Sequence, residues 1–325
     1  MSAVGVIGGG SIGLLLAGKL SAAGYDVTIW TRTQRQADDL NRYGITLEDP
    51  TGMTLHQSRV FAVHYTEATF FKHGPILLAV KQTALTSELY KQLARTVPVG
   101  GSLVLFQNGI GHVERLQQEL PNRHIVVAVT TEAALRLNGT TVRHTGKGET
   151  QLGEWGSSMI DQQENQHTNR LVDSRKTIND VEGVLQEAGF TAFLSNQLRE
   201  AVMRKLLVNA VINPLTALLR VTNGDLIVTD ERIALMHSLF TETFVILQAH
   251  GLKEQQSLWQ WVVQVCEQTK DNESSMLQDI KANRMTEVDA INGAICQLAR
   301  QQGLEAPLNT MITALIQASH SNRRE

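Results

Sequence analysis

Lys205, Asn209 and Asn213 recur every four residues within Ala201-Val202-Met203-Arg204-Lys205-Leu206-Leu207-Val208-Asn209-Ala210-Val211-Ile212-Asn213-Pro214, a stretch that is otherwise almost wholly apolar. That spacing puts the ammonium and the two amides along one face of a helix. A helix this apolar is expected to be largely buried. Burying three polar groups is costly unless partners satisfy them. Either the three bond to one another and to the backbone, or they face a cleft that holds a polar ligand. A Lys-Asn-Asn row favours the cleft. A second polar group lies in Asn272-Glu273-Ser274-Ser275-Met276-Leu277-Gln278-Asp279 and Arg284-Met285-Thr286-Glu287. Serines and acids near a helix start are ordinary capping chemistry, and position alone makes Thr286 and Glu287 a cap and a first-turn acid.

Near the other end of the chain, Gly8-Gly9-Gly10-Ser11-Ile12-Gly13 fits the pattern G-x-G-x-x-G. The pattern alone is weak, since a tight strand-helix turn without a ligand has the same glycines. Here it follows an expected strand and opens an expected helix. Backbone N–H groups can then approach a pyrophosphate whose charge sits at the helix N-terminus. At the end of the second strand an NAD-binding protein usually carries an acid for the ribose 2′-hydroxyl. This chain has Ile29-Trp30-Thr31-Arg32 instead. Arg32 suits a 2′-phosphate, with Arg35 to assist, so the expected cofactor is NADPH. Lys81 and Asn108-Gly109 each end a further strand, where ligands sit in open α/β sheets, although Asn-Gly is also a frequent turn.

These residues need a scaffold. Val4 to Ile7, Asp26 to Trp30, Ile76 to Val80, Ser102 to Phe106 and His124 to Val129 read as strands. Ile12 to Ala23, Leu85 to Thr96 and His112 to Leu120 read as helices. This alternation predicts a parallel sheet with helices on both faces. Thr140 to Glu154 reads as an antiparallel addition to that sheet, and the polar stretch Gly156 to Asp180 as a solvated loop. From Asn196 onwards the pattern is helical: Arg199 to Leu219, bent or broken near Pro214, then Asp230 to His250, Leu258 to Thr269, Thr286 to Gln302 and Asn309 to Ala318. The expected division is a cofactor-binding domain over 1–196 and a helical substrate domain over 197–325.

At 325 residues the chain exceeds what one core usually serves, which agrees with two domains. A net charge of −3 gives no basic excess for nucleic acid or an anionic membrane. The two cysteines, Cys266 and Cys296, are expected to be free thiols, and no Cys/His spacing suits a metal. The chain shows neither a signal-peptide pattern nor a run of about 20 apolar residues, so a cytoplasmic protein is expected.

Taken together, these pieces resemble the ketopantoate reductase family. They are Gly8 to Gly13, Arg32, Lys81, Gln107-Asn108-Gly109, Lys205 to Pro214, Asn223-Gly224, Ser274 to Asp279 and Thr286-Glu287, in family order along nearly the whole chain. The resemblance implies a Rossmann domain followed by an all-α domain, with the active site between them, and NADPH-dependent reduction of a small 2-oxo acid, ketopantoate, to pantoate for coenzyme A synthesis. It makes Lys205 the general acid and Glu287 an active-site carboxylate. Asn209, Asn213 and Ser275 line the substrate pocket, with Asn223 and Asn272 more peripheral. Gly8, Gly10, Ser11, Ile12, Gly13, Arg32, Lys81 and Asn108 contact the cofactor, and Asn108 lies near both nicotinamide and substrate. No metal is implied, and a homodimer is one arrangement the helical domain allows. After Lys81 the chain departs from the family, with Ala84 and Leu85 around the place where a glutamine is common. Two rival readings remain open: a reductase of a different 2-oxo acid in the same fold, and a non-catalytic NADPH-binding sensor.

Overall fold

The apolar runs of the first half assemble into one large sheet. The computed structural model describes residues 2–155, 167–253 and 255–320, and the chain divides into two units, Met1–Gln107 with His112–Leu198, and Asn108–Gly111 with Arg199–Glu325. In the first unit, β1 (Ala3–Ile7) leads into α1 (Ser11–Ala22), β2 (Asp26–Thr31) and α2 (Gln34–Tyr43). The chain continues through β3 (Ile45–Glu48), β4 (Thr54–Ser58), β5 (Phe61–His64), β6 (Ile76–Leu78), α3 (Ser87–Thr96), β7 (Ser102–Leu105), α4 (His112–Glu119) and β8 (His124–Thr130). It closes with β9 (Ala133–Arg136), β10 (Thr141–Gly146), β11 (Glu149–Glu154), α5 (His167–Glu187) and β12 (Thr191–Leu194).

Eight strands pair in the order β12-β11-β8-β7-β6-β1-β2-β5. From β5 to β8 every pairing is parallel. In sequence terms those six strands stand in the order 3-2-1-4-5-6 of the doubly wound dinucleotide-binding sheet, whose topological switch lies between β1 and β6. Parallel strands covered on both faces must be apolar throughout, and Val4, Val6, Leu77, Leu78, Leu103 and Leu105 are fully buried. This is the α/β Rossmann-type fold expected from the alternation of strands and helices.

Two expectations for this unit need correction. The Thr140 to Glu154 stretch does not join the sheet as one piece. β11 pairs antiparallel with β8, but β10 belongs to a separate four-stranded sheet, β4-β3-β10-β9, where it runs parallel to β3 and antiparallel to β9. The loop expected over 156–180 is helical from residue 167 as α5, while 156–166 lie outside the described residues. Ile178, Val181 and Leu185 are buried at helical spacing, so a polar-looking sequence still presents one apolar stripe.

Among its described residues the second unit forms helices and no strands: α6 (Leu198–Leu219, whose first residue falls in the first unit), α7 (Asp230–Ala249), α8 (Gln255–Gln268), α9 (Ser275–Lys281), α10 (Val288–Gln301) and α11 (Pro307–Ala318). Its core gathers Leu207, Val211, Leu239, Phe240, Phe244, Leu258, Val262, Ile291, Ile295 and Ile316. α6 continues through Pro214, so of the bend or break expected there the break does not occur. Proline lacks the N–H that would reach the carbonyl of Ala210, and Asn292 Nδ2 from α10 donates to that oxygen instead, at 2.9 Å. By length and composition α6 would also pass as a membrane span, but 67% of its apolar window is buried inside the protein, as in a core helix. Cys266 and Cys296 are both free.

Candidate active site

The glycine loop lies beyond the carboxyl end of β1, at the switch point. Gly8 has φ +115° and donates its N–H to the Trp30 carbonyl at 2.9 Å. A Cβ on Gly13 would stand 1.8 Å from the Gly8 oxygen, so only glycine lets α1 begin this close to the strand. A Cβ on Gly10 would meet no protein atom within 4 Å. Gly10 is the N-cap of α1 without a side-chain cap, so the first N–H groups of the helix, those of Ser11, Ile12 and Gly13, have no partner within the helix. A cradle open at Gly10 and facing orphan donors fits a pyrophosphate.

At the end of β2, Thr31 is fully buried and donates its hydroxyl to the Thr33 carbonyl at 3.0 Å. Arg32 follows with its side chain exposed. Its carbonyl is held by His64 Nε2 from β5 at 2.8 Å. Arg35 is exposed as well, with Asp39 at 4.0 Å. No carboxylate occupies the strand end, and an exposed guanidinium fork rather than a hydroxyl acceptor marks the place.

β6 and β7 end side by side. Gln107 donates Nε2 to the carbonyls of Leu78 and Val80, both at 3.0 Å, which ties the two strand ends together. Ala79 donates its N–H to the Ile7 carbonyl at 2.9 Å and so continues the β1 edge. Lys81 caps the turn that follows.

In the helical unit, Lys205 and Asn209 on α6 are partly buried and Asn213 is buried. Among the described residues neither asparagine side chain makes a hydrogen bond. The three therefore do not satisfy one another as a closed row. Burial pushes the Lys205 ammonium down to about 8, against the charge of Glu287, which pulls it up. Glu287 is buried and holds the N-cap position of α10 without a side-chain cap, one place before the first turn where position alone puts it as an acid. Its Oε2 faces Asn108 Nδ2 at 3.4 Å. Thr286 Oγ1 turns instead to His320 Nε2, at 3.2 Å. Lys205, Glu287 and Asn108 thus form one group drawn from three distant parts of the sequence.

The serines divide the work at α9. Ser274 is the buried N-cap, accepting the Leu277 N–H at 3.1 Å, while the Thr216 hydroxyl donates to its oxygen at 2.7 Å. Ser275 is left exposed on the first turn. Asn223 is buried and spends its Nδ2 on Thr269 Oγ1 at 2.9 Å, and its backbone N–H on the Asn272 carbonyl at 3.0 Å. Its Oδ1 has no partner among the described residues. Asn223 and Asn272 are thus neighbours through the backbone, apart from the Lys205 group in these contacts.

Sequence reasoning missed Gln36 and Arg136, while Ser274 plays the capping role that its place near a helix start suggests. Gln36 and Arg136 bond to the carbonyl of Gly9, and Ser274 holds α9 against α6. Only Ser274 carried a local signal, as the serine three residues before Leu277, whose N–H it caps.

Comparison with known proteins gives the family. The family model described as ketopantoate reductase PanE/ApbA matches residues 4–157, and that of its C-terminal part matches residues 197–320. The 2-dehydropantoate 2-reductase of Bacillus subtilis is 36% identical over 304 residues, covering 93% of this chain and 92% of that protein. A solved structure described as a probable 2-dehydropantoate 2-reductase of Bacillus subtilis superposes with a TM-score of 0.78 at 32% identity, covering 98% of this chain and 99% of that one. D-mandelate dehydrogenase, solved with NADH and anilino(oxo)acetate, shares the fold at a TM-score of 0.84 and 20% identity, with 98% of both chains covered. The chain belongs to the ketopantoate reductase family.

Proposed function

We infer that this chain reduces 2-dehydropantoate (ketopantoate) to (R)-pantoate with NADPH, the step that supplies pantoate for pantothenate and coenzyme A synthesis. The observation that carries the reading is Lys205, an ammonium with its acidity raised by burial and an acid partner in Glu287. NADPH, when bound, would supply a hydride for the keto carbon. Negative charge then develops on the keto oxygen, where Lys205 Nζ stabilises it and gives up a proton. Glu287 keeps the ammonium protonated near neutrality and holds the substrate hydroxyl. Asn209, Asn213 and Ser275 bind the carboxylate and hydroxyl without adding charge, with Asn223 and Asn272 at the margin.

On this reading residues 1–196 hold the cofactor and 197–325 the substrate. Gly8, Gly10, Ser11, Ile12 and Gly13 receive the pyrophosphate, Arg32 the 2′-phosphate, and Lys81 and Asn108 the nicotinamide end. A second reading draws on the fold shared with D-mandelate dehydrogenase: the same chemistry on a different 2-oxo acid.

Consumption of NADPH by the purified protein with ketopantoate, beside NADH and smaller 2-oxo acids, tests both. Turnover that needs NADPH and ketopantoate and collapses in Lys205→Ala is expected. Turnover with another oxo acid alone moves the chain to the second reading. Binding of NADPH without reduction of any oxo acid overturns the enzyme.

A further inference from the structure

The carbonyl oxygen of Gly9 accepts two side-chain hydrogen bonds, from Gln36 Nε2 at 2.9 Å and from Arg136 Nη1 at 3.0 Å. Gln36 reaches it from α2 and also holds the Gly139 carbonyl at 2.9 Å. Arg136 reaches it from β9, and its backbone N–H donates to Ser11 Oγ at 3.1 Å. A Cβ on Gly9 would stand 2.5 Å from the Gln36 amide, so the glycine at this position keeps the contact short.

Across a trans peptide the C=O of one residue and the N–H of the next point in opposite directions. Two donors that pin the Gly9 oxygen therefore aim the Gly10 N–H away from them, and the surroundings of Gly10 are open. Ser11 is set in the same way. Its oxygen accepts from Arg136, which leaves its own O–H to donate elsewhere. The guanidinium also brings a positive charge to the loop.

The geometry points to Arg136 and Gln36 as positioning residues for pyrophosphate binding, orienting the Gly10 N–H and the Ser11 hydroxyl from outside the G-x-G-x-x-G pattern. The inference rests on the cofactor reading above, and the test separates the two. Titration of wild type, Arg136→Ala, Arg136→Lys and Gln36→Ala with NADPH, and in parallel with 2′-AMP, is followed by calorimetry. 2′-AMP carries the adenosine 2′-phosphate and no pyrophosphate. Arg136→Ala is expected to weaken NADPH about tenfold, the loss of one charge-assisted bond. Arg136→Lys keeps the charge without the fixed fork and loses less, and Gln36→Ala loses about threefold. All three variants bind 2′-AMP as wild type does, which also shows that they fold. NADPH affinity unchanged in Arg136→Ala overturns the inference, as does an equal loss for NADPH and 2′-AMP. Wild type that binds neither ligand overturns the cofactor reading and the inference with it.

Discussion

Asn292 donates its side-chain amide to the carbonyl oxygen of Ala210 at 2.9 Å, the oxygen that Pro214 has no N–H to reach. The same Nδ2 donates to Asn309 Oδ1 at 2.9 Å, and Asn292 and Asn309 are fully buried. One side chain on α10 thus repairs the proline gap in the helix that carries Lys205, Asn209 and Asn213.

Asn292→Leu leaves a buried carbonyl and a buried amide oxygen without donors, and a loss of about 2–4 kcal/mol is expected in urea denaturation. In a Pro214→Ala background the restored N–H serves Ala210, so the same substitution costs measurably less. Equal losses in both backgrounds would show that Asn292 does not act through Ala210.

The pH dependence of turnover follows from Lys205. Its protonated form is the acid, so reduction is expected to decline as pH rises through about 8. Glu287→Gln removes the charge that holds the proton on, and the alkaline limb moves to lower pH. A limb that stays in place in Glu287→Gln would separate the two residues functionally.

Lys205 also bears on stability, with the opposite sign from a paired lysine. Its folded value of about 8 lies below the ordinary 10.5, so between those values the unfolded chain holds more protons. Its contribution to stability therefore rises with pH through that window. Lys205→Met is expected to lower kcat by about 10²- to 10⁴-fold while melting no earlier than wild type at pH 7. A large fall in melting temperature would make the lysine a structural group.

Two glycines of the loop should part company. Gly13→Ala drives a methyl group against the Gly8 backbone oxygen and is expected to lose both stability and NADPH binding. Gly10→Ala meets no protein atom and needs no unusual φ. It should melt like wild type yet bind NADPH poorly, because the methyl group enters ligand space. Normal affinity in Gly10→Ala would place the pyrophosphate elsewhere.

Arg32→Ala is expected to raise the Kd for NADPH about 10- to 100-fold and leave that for NADH unchanged. An equal change for both cofactors would remove Arg32 from 2′-phosphate recognition.

The features legible in the sequence are the ones written locally. The glycine loop needs only six consecutive residues and a strand before them, and the Lys205 row needs only helical spacing. α5 was hidden because its buried Ile178, Val181 and Leu185 follow a long polar run. The continuity of α6 was hidden because the residue that compensates Pro214 lies far along the chain, 82 positions after the Ala210 carbonyl it serves. Gln36 and Arg136 left no trace for the same reason, since each meets Gly9 only once the fold has formed. Glu287 was ambiguous in sequence, where position alone makes it a first-turn acid behind a Thr286 cap. Its contact with Asn108, 179 positions away, gives it another use.

A chain emerging from the ribosome completes β1, the glycine loop and α1 long before β9 exists, because Arg136 follows Gly9 by 127 residues. β3 and β4 likewise wait for β10 before their small sheet can close, and until then they expose an unpaired edge. Contacts between residues so far apart in sequence form late in folding. On the cofactor reading, nucleotide affinity would reach its full value only in the closing stage of folding, and NADPH added to a refolding mixture would favour chains that have already closed the small sheet over earlier species.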